Sequence, residues 1–173
     1  MGTARDMGGE LRIREFRRGD FLRLWEIDQE CFPRGIAYSQ AELLSYIRRP
    51  KSCTLVAERA PVQGPEKSSL PAVTVGFIVA EPNRQAGHII TIDVVKEARR
   101  SGLGSRLLAA AEARLREQGC DRVYLETAID NASALAFYKR QDYFLVKTIP
   151  RYYANGVDAF VLKKDLLAGS GRE

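Results

Sequence analysis

Apolar and polar residues alternate through Leu11-Arg12-Ile13-Arg14-Glu15-Phe16, the period of a half-buried strand. Gly19-Asp20 then offers an N-cap, and Phe21, Leu24, Trp25 and Ile27 recur at helical spacing. Pro33, Gly35 and Ser39 mark a loop with a fresh cap, and Leu43, Leu44 and Ile47 predict a second short helix that stops before Pro50. Thr54–Ala57, Val73–Ala80 and His88–Val95 are β-branched, strand-like runs. Gly102–Gln118 reads as a long helix with Leu103, Leu107, Ala111 and Leu115 on one stripe and Gly119 as its C-cap. A strand at Val123–Thr127, a helix at Asn131–Arg140 and late strands at Tyr143–Ile149 and Ala159–Leu162 complete the pattern. Interleaved elements of both kinds predict one α/β sandwich.

The chain has 173 residues, 45% of them hydrophobic, which suits one domain with a core. Residues 1–10 and 166–173 read as tails around a domain at 11–165. The Pro/Gly/Ser-rich stretch 60–71 reads as a surface loop between paired strands. No apolar run reaches the roughly 18 residues of a membrane span, and no signal peptide is visible. Cys31, Cys53 and Cys120 are far apart and odd in number, and one His cannot build a His-rich metal site. Three reduced, buried thiols in a cytoplasmic protein with no metal are expected. The net charge of +5 could serve nucleic acid, but the basic clusters are short and lack regularly spaced aromatics. A phosphate-bearing ligand fits the charge as well, so neither nucleic acid nor membrane is expected as a partner.

Two segments carry candidate chemistry. Asp93-Val94-Val95-Lys96-Glu97-Ala98-Arg99-Arg100-Ser101-Gly102-Leu103-Gly104 runs from a strand through a basic turn and glycines into a long helix. Glycines permit close approach of backbone to ligand, and a helix N-terminus presents unpaired N–H groups. That describes a pyrophosphate cradle, although no Gly-Lys-Ser/Thr and no complete Gly-x-Gly-x-x-Gly is present. A ligand-free strand–helix turn fits the same residues. In the second segment Glu126 closes a strand, Asn131 caps a helix, and Tyr138 lies two turns further on. The carboxylate and the phenol could share a cleft; equally, Glu126 could be a solvated charge and Tyr138 a core residue.

Taken together, the two segments resemble a known family. Arg-x-x-Gly-x-Gly at Arg99–Gly104 resembles the acetyl-CoA signature of the GCN5-related N-acetyltransferase superfamily. Leu-Glu-x-x-x-x-Asn-x-x-Ala-x-x-Phe-Tyr, ending at Tyr138, resembles the bacterial ribosomal-protein-alanine N-acetyltransferases and their archaeal and eukaryotic N-terminal relatives. The likeness covers about residues 11–165, including Cys31-Phe32-Pro33, Ile90–Val94, Arg151-Tyr152-Tyr153 and Gly156–Ala159. One departure is Gln141-Asp142-Tyr143-Phe144, where the family usually carries Gly-Phe.

The resemblance implies a mixed, mostly antiparallel sheet flanked by helices and splayed in a V between its fourth and fifth strands. It implies acetyl-CoA as cosubstrate, with Val94 and Val95 holding the pantetheine arm through their main chain. Arg99, Arg100, Ser101, Gly102, Leu103, Gly104 and Ser105 would hold the pyrophosphate, and Asn131 would sit beside the cofactor. Glu126 would be the general base and Tyr138 the acid that protonates the leaving thiolate. Phe32, Pro33, Tyr38, Tyr152 and Tyr153 would line a peptide N-terminus. The implied function is acetylation of a protein's N-terminal α-amine, with a ribosomal protein as one candidate substrate, by direct transfer in a ternary complex of a monomer or weak dimer. A lysine or small-amine acetyltransferase, or a non-catalytic acetyl-CoA-binding module, is the alternative. His88, the sole imidazole, reads either as a partly exposed strand-end residue or as an auxiliary base.

Overall fold

The computed structural model describes residues 9–61 and 71–167. Strands β1 (Leu11–Glu15), β2 (Cys53–Arg59), β3 (Val73–Asn83), β4 (Ala86–Val94), β5 (Arg122–Ala128), β6 (Phe144–Ile149) and β7 (Ala159–Asp165) form one sheet in the order β1-β2-β3-β4-β5-β7-β6. Helices α1 (Phe21–Cys31) and α2 (Gln40–Ile47) lie between β1 and β2, α3 (Leu103–Glu117) between β4 and β5, and α4 (Ala132–Arg140) between β5 and β6. The mixed, mostly antiparallel sheet is the expected one, with β4 and β5 its single parallel pair. Parallel neighbours need a crossover, which α3 supplies.

Each side of the sheet is covered by a stripe written in the helical period. Leu103, Leu107, Ala111 and Leu115, the expected α3 stripe, are all buried, as are Leu24 and Ile27 of α1. Gly87 lets α3 approach closely, since a Cβ there would lie 2.5 Å from Leu115 Cδ1.

Local signals account for most helix ends. Ser39 and Glu42 form the capping box that starts α2. Gly119, at φ +87°, closes α3: its N–H bonds Arg116 C=O and the Cys120 N–H bonds Leu115 C=O, the paired bonds of a Schellman cap. The α4 terminus repeats this with Asp142 at φ +66°, Asp142 N–H to Lys139 C=O and Tyr143 N–H to Tyr138 C=O. Asp is one of the few non-glycine residues that tolerate this region, so the missing glycine leaves the turn intact. Tyr143 thus belongs to the cap rather than to β6.

Other expectations are corrected. Asp20 precedes α1 but does not cap it with its side chain; a 3₁₀ turn over Arg18–Asp20 intervenes, and the carboxylate takes the Arg17 N–H and the Arg14 guanidinium. Glu10 and Leu166, assigned to tails, are tied in: Glu10 C=O accepts from Ala60 N–H, and Leu166 is buried. Residues 62–70, most of the Pro-rich loop, fall outside the described residues. Cys53 and Cys120 are buried, but Cys31 is only partly so.

The α3 stripe also buries Glu112, which accepts from Tyr143 OH and from Lys164 Nζ, each at 2.9 Å. Glu112→Ala should therefore cost about 2–3 kcal/mol, because it strands a hydroxyl and an ammonium. Urea unfolding of the two proteins measures this directly.

Candidate active site

β4 and β5 pair only through Ala86 with Arg122, Gly87 with Val123 and His88 with Tyr124. Beyond those couples β4 runs on to Val94 and β5 to Ala128 without a ladder between them. The sheet therefore opens into a V whose apex is His88.

At that apex His88 Nε2 lies 2.6 Å from Glu126 Oε2, with side chains 32% and 20% exposed. Glu126 reaches the apex because it is two residues past Tyr124 and so on the same face of β5. The pair is partly wet, so it can exchange protons with a ligand in the cleft. With Nε2 held by the carboxylate, the second imidazole nitrogen is the one that can face another group.

Two loops border the cleft. The turn after α1 carries Phe32, half-buried, and Pro33, exposed. The β6–β7 connection carries Tyr152 and Tyr153, packed edge to face at 4.9 Å between centroids. Ala154 N–H donates to Gly35 C=O, joining the loops. Tyr38 crosses to β4, where its hydroxyl donates to Ile90 C=O at 3.3 Å, and it stacks edge-on against Tyr46. Burial and the nearby Glu126 charge push the phenols of Tyr152, to about 12, and of Tyr153 upward. Phe32, Pro33, Tyr38, Tyr152 and Tyr153, the residues expected to line a peptide, stand on or beside these joined loops. Tyr46 and Gln29 join them and were not singled out in the sequence.

Tyr138 stands on α4, buried, between Phe137 and Tyr143. Burial raises its phenol above the ordinary value, so it is a proton donor at any ordinary pH. It does not meet Glu126 directly; Tyr153 is within electrostatic reach of both. The structure thus shows no contact between the carboxylate and the phenol among the described residues.

The open end of the V holds the turn into α3. Arg100 (φ +58°) and Gly102 (φ +79°) are both left-handed, an alternation that turns successive amides to one side. Among the described residues no main-chain N–H from Arg100 to Ser105 has a protein acceptor; the first α3 amide with one is Arg106, on Gly102 C=O. A run of free donors at the N-terminus of a 15-residue helix suits a pyrophosphate. Gly102 is required for its φ, and a Cβ there would meet nothing within 4 Å.

Gly104 also meets a packing constraint: its Cβ would come within 3.3 Å of Phe137 Cε2. Val95 N–H is spent on Val75 C=O, and its own C=O accepts Ala98 N–H, which leaves that oxygen one lone pair for another donor. Arg99 bends back from the cradle, with Nε on Val94 C=O at 2.9 Å and Nη2 on Cys31 Sγ at 3.6 Å. Asn131 is a helix cap as expected, accepting from Ala134 N–H.

Arg100, exposed at the cradle, is the cation free to meet phosphate. Arg100→Glu reverses one charge without altering the glycines, and acetyl-CoA affinity should fall about tenfold at low salt, less as salt screens it. Titration calorimetry at two ionic strengths checks both.

Residues 21–143 match the family model of the Acetyltransferase (GNAT) family, and the chain belongs to that family. It is an acetyl-CoA N-acyltransferase. Over 164 residues it is 29% identical to an N-alpha-acetyltransferase of Sulfurisphaera tokodaii, covering 92% of this chain and 95% of that one. It is 31% identical over 153 residues to an uncharacterized N-acetyltransferase of Methanocaldococcus jannaschii, covering 88% and 90%. Among solved structures it resembles Ard1 from Thermoplasma volcanium, with a TM-score of 0.76 at 28% identity, covering 91% of this chain and 98% of that one.

Proposed function

We propose that this chain acetylates the N-terminal α-amine of a protein, by direct transfer with both substrates bound. The carrying observation is the His88–Glu126 pair at the apex of the V, bordered by the two joined aromatic loops. The N-alpha-acetyltransferase names of its relatives support the same reading.

Acetyl-CoA supplies an acyl group already activated as a thioester. The free amides from Arg100 to Ser105 bind its pyrophosphate, and Val94, on the cleft side of β4, borders its arm. An α-amine has a pKa of roughly 7.7–8.0, so a sizeable fraction is neutral near pH 7, whereas a lysine amine near about 10.4 is almost wholly charged. The Glu126–His88 pair takes the remaining proton, directly or through a water. Tyr138 donates its proton to the departing sulfur. The loops around Phe32, Pro33, Tyr38, Tyr152 and Tyr153 receive the first residues of the peptide.

The test is acetyl-CoA turnover against a panel of peptides with free and with blocked α-amines, including ribosomal-protein N-termini. Turnover confined to free α-amines is expected. Faster turnover of a blocked peptide bearing one internal Lys overturns the assignment.

A further inference from the structure

Two buried carboxylates lie between the loop side and the cofactor side of this site, and no step above uses them. Asp28, on α1, and Asp93, on β4, are 0% and 1% exposed. Asp28 Oδ2 accepts from Tyr38 N–H at 2.8 Å and from Gln29 Nε2 at 3.1 Å, while Asp93 Oδ1 accepts from Thr91 Oγ1 at 2.8 Å. The other oxygen of each, Asp28 Oδ1 and Asp93 Oδ2, is buried with no hydrogen-bond partner among the described residues.

We propose that Asp28 and Asp93 form a carboxyl–carboxylate positioning pair, in which the acid hydrogen of Asp93 serves the free oxygen of Asp28 through one buried water and ties the peptide-lining loop to the cofactor strand. The roles of loop and strand rest on the function proposed above; the pairing itself does not.

Helix α1 lies against β4 at this point, where the Cys31 thiol, one turn past Asp28, donates to the C=O of Val94, the neighbour of Asp93, at 3.5 Å. The two orphaned oxygens are explained together if one acid keeps its proton. Two buried carboxylates near each other do not both ionise readily, and an unpaired buried acceptor is costly. Asp28 is the better anion, because two N–H groups already point at it. Asp93 is held only by a hydroxyl. Burial raises both acids, Asp28 to about 6 and Asp93 further, with the Asp28 charge adding to the effect.

The surrounding groups do not reverse this. Glu42 of α2 raises Asp28. The Cys31 thiol and the Tyr138 phenol near Asp93 are both raised by burial and neutral, so neither sets a charge beside it. Arg99 is the one cation whose charge reaches Asp93 among the described residues, and its guanidinium is bound to Val94 C=O and Cys31. The anion at Asp28 holds both main-chain groups of Tyr38: its N–H directly, and its C=O through Gln29, whose Nε2 also donates there at 2.8 Å. Tyr38 in turn reaches Ile90 on β4.

Asp93→Asn keeps a donor where the acid hydrogen stood, and Asp93→Leu removes it. The Leu variant should raise the KM for peptide by roughly 5–100-fold, with the KM for acetyl-CoA changed less than about threefold, as expected for one orphaned buried acceptor. The Asn variant should keep the peptide KM within about twofold of wild type. An unchanged peptide KM in the Leu variant, or an Asn variant as impaired as Leu, overturns the pair.

A second measurement needs no substrate. Wild-type Asp93 keeps its proton above the unfolded value of about 3.9, so the native state binds the extra proton and wild-type stability falls with rising pH. The Asn variant lacks that loss. Thermal unfolding midpoints of the two proteins should therefore diverge progressively as pH rises above about 4. Parallel curves overturn the protonation assignment, even if no peptide proves to be a substrate.

Discussion

Tyr138→Phe should lower turnover by roughly 10²–10³-fold at saturating peptide, because it deletes the proton donor for the leaving thiolate and almost nothing else. The ring is buried between Phe137 and Tyr143, and Phe preserves both contacts. Acetyl-CoA affinity should therefore stay within about twofold, since phosphate binding lies at the α3 turn rather than at this ring. Because burial raises the phenol above its ordinary value, wild-type turnover should show no alkaline loss from this residue up to about pH 10, its unperturbed pKa. Single-turnover kinetics with calorimetry decide the matter; equal turnover in the variant would remove Tyr138 from the mechanism.

Glu126→Gln should have the second large effect, and its pH dependence identifies the substrate class. Gln retains the shape and a hydrogen bond toward His88 Nε2, but it loses the carboxylate's basicity. Below the α-amine pKa of about 8 most substrate is charged, so removal of the base should cost most there, by roughly 10²-fold or more. As pH rises past that value neutral amine forms unaided, and the variant should recover part of the rate. A lysine substrate would show no such recovery until about pH 10. The measurement is a pH–rate profile of both proteins on a free-N-terminus peptide and on a blocked peptide with one internal Lys. A variant profile lowered equally at every pH would make Glu126 an orienting group and His88 the base.

Much of this site was readable before the structure because it depends on local chemistry. The glycine-containing turn, the Asn131 cap and the α3 stripe are consequences of neighbouring residues, and a helix N-terminus offers free amides wherever one occurs. The His88–Glu126 contact was not readable in this way, because 38 residues separate the two and only the β4–β5 register brings them together. The packing of Gly104 against Phe137 was hidden for a related reason, since Phe137 stands on another helix. The bonds that Val95 and Arg99 make inside the turn were hidden too, because they depend on how the turn folds back on β3 and α1.

Asp28 and Asp93 left a fainter trace. Asp28 falls four residues after Leu24, on the apolar stripe of α1, and Asp93 shares the buried parity of Ile89 and Thr91 in β4. A charge at a core-facing position of either period is a sign of a buried polar role. The Pro33–Ser39 loop hides the partner, since Tyr38 reaches Asp28 only after the chain turns back.

The tight contact between Gly87 and Leu115 reaches further than its size suggests. Leu115 stands near the foot of α3 and the free amides at its head, about 18 Å away along a rigid rod. The glycine is a fulcrum. Adding a single methyl there must push Leu115 aside, and a small tilt at the foot becomes a larger sweep at the head. The seat of α3 on β4 at the closed end of the sheet thus sets the line along which the helix presents its free amides at the open end.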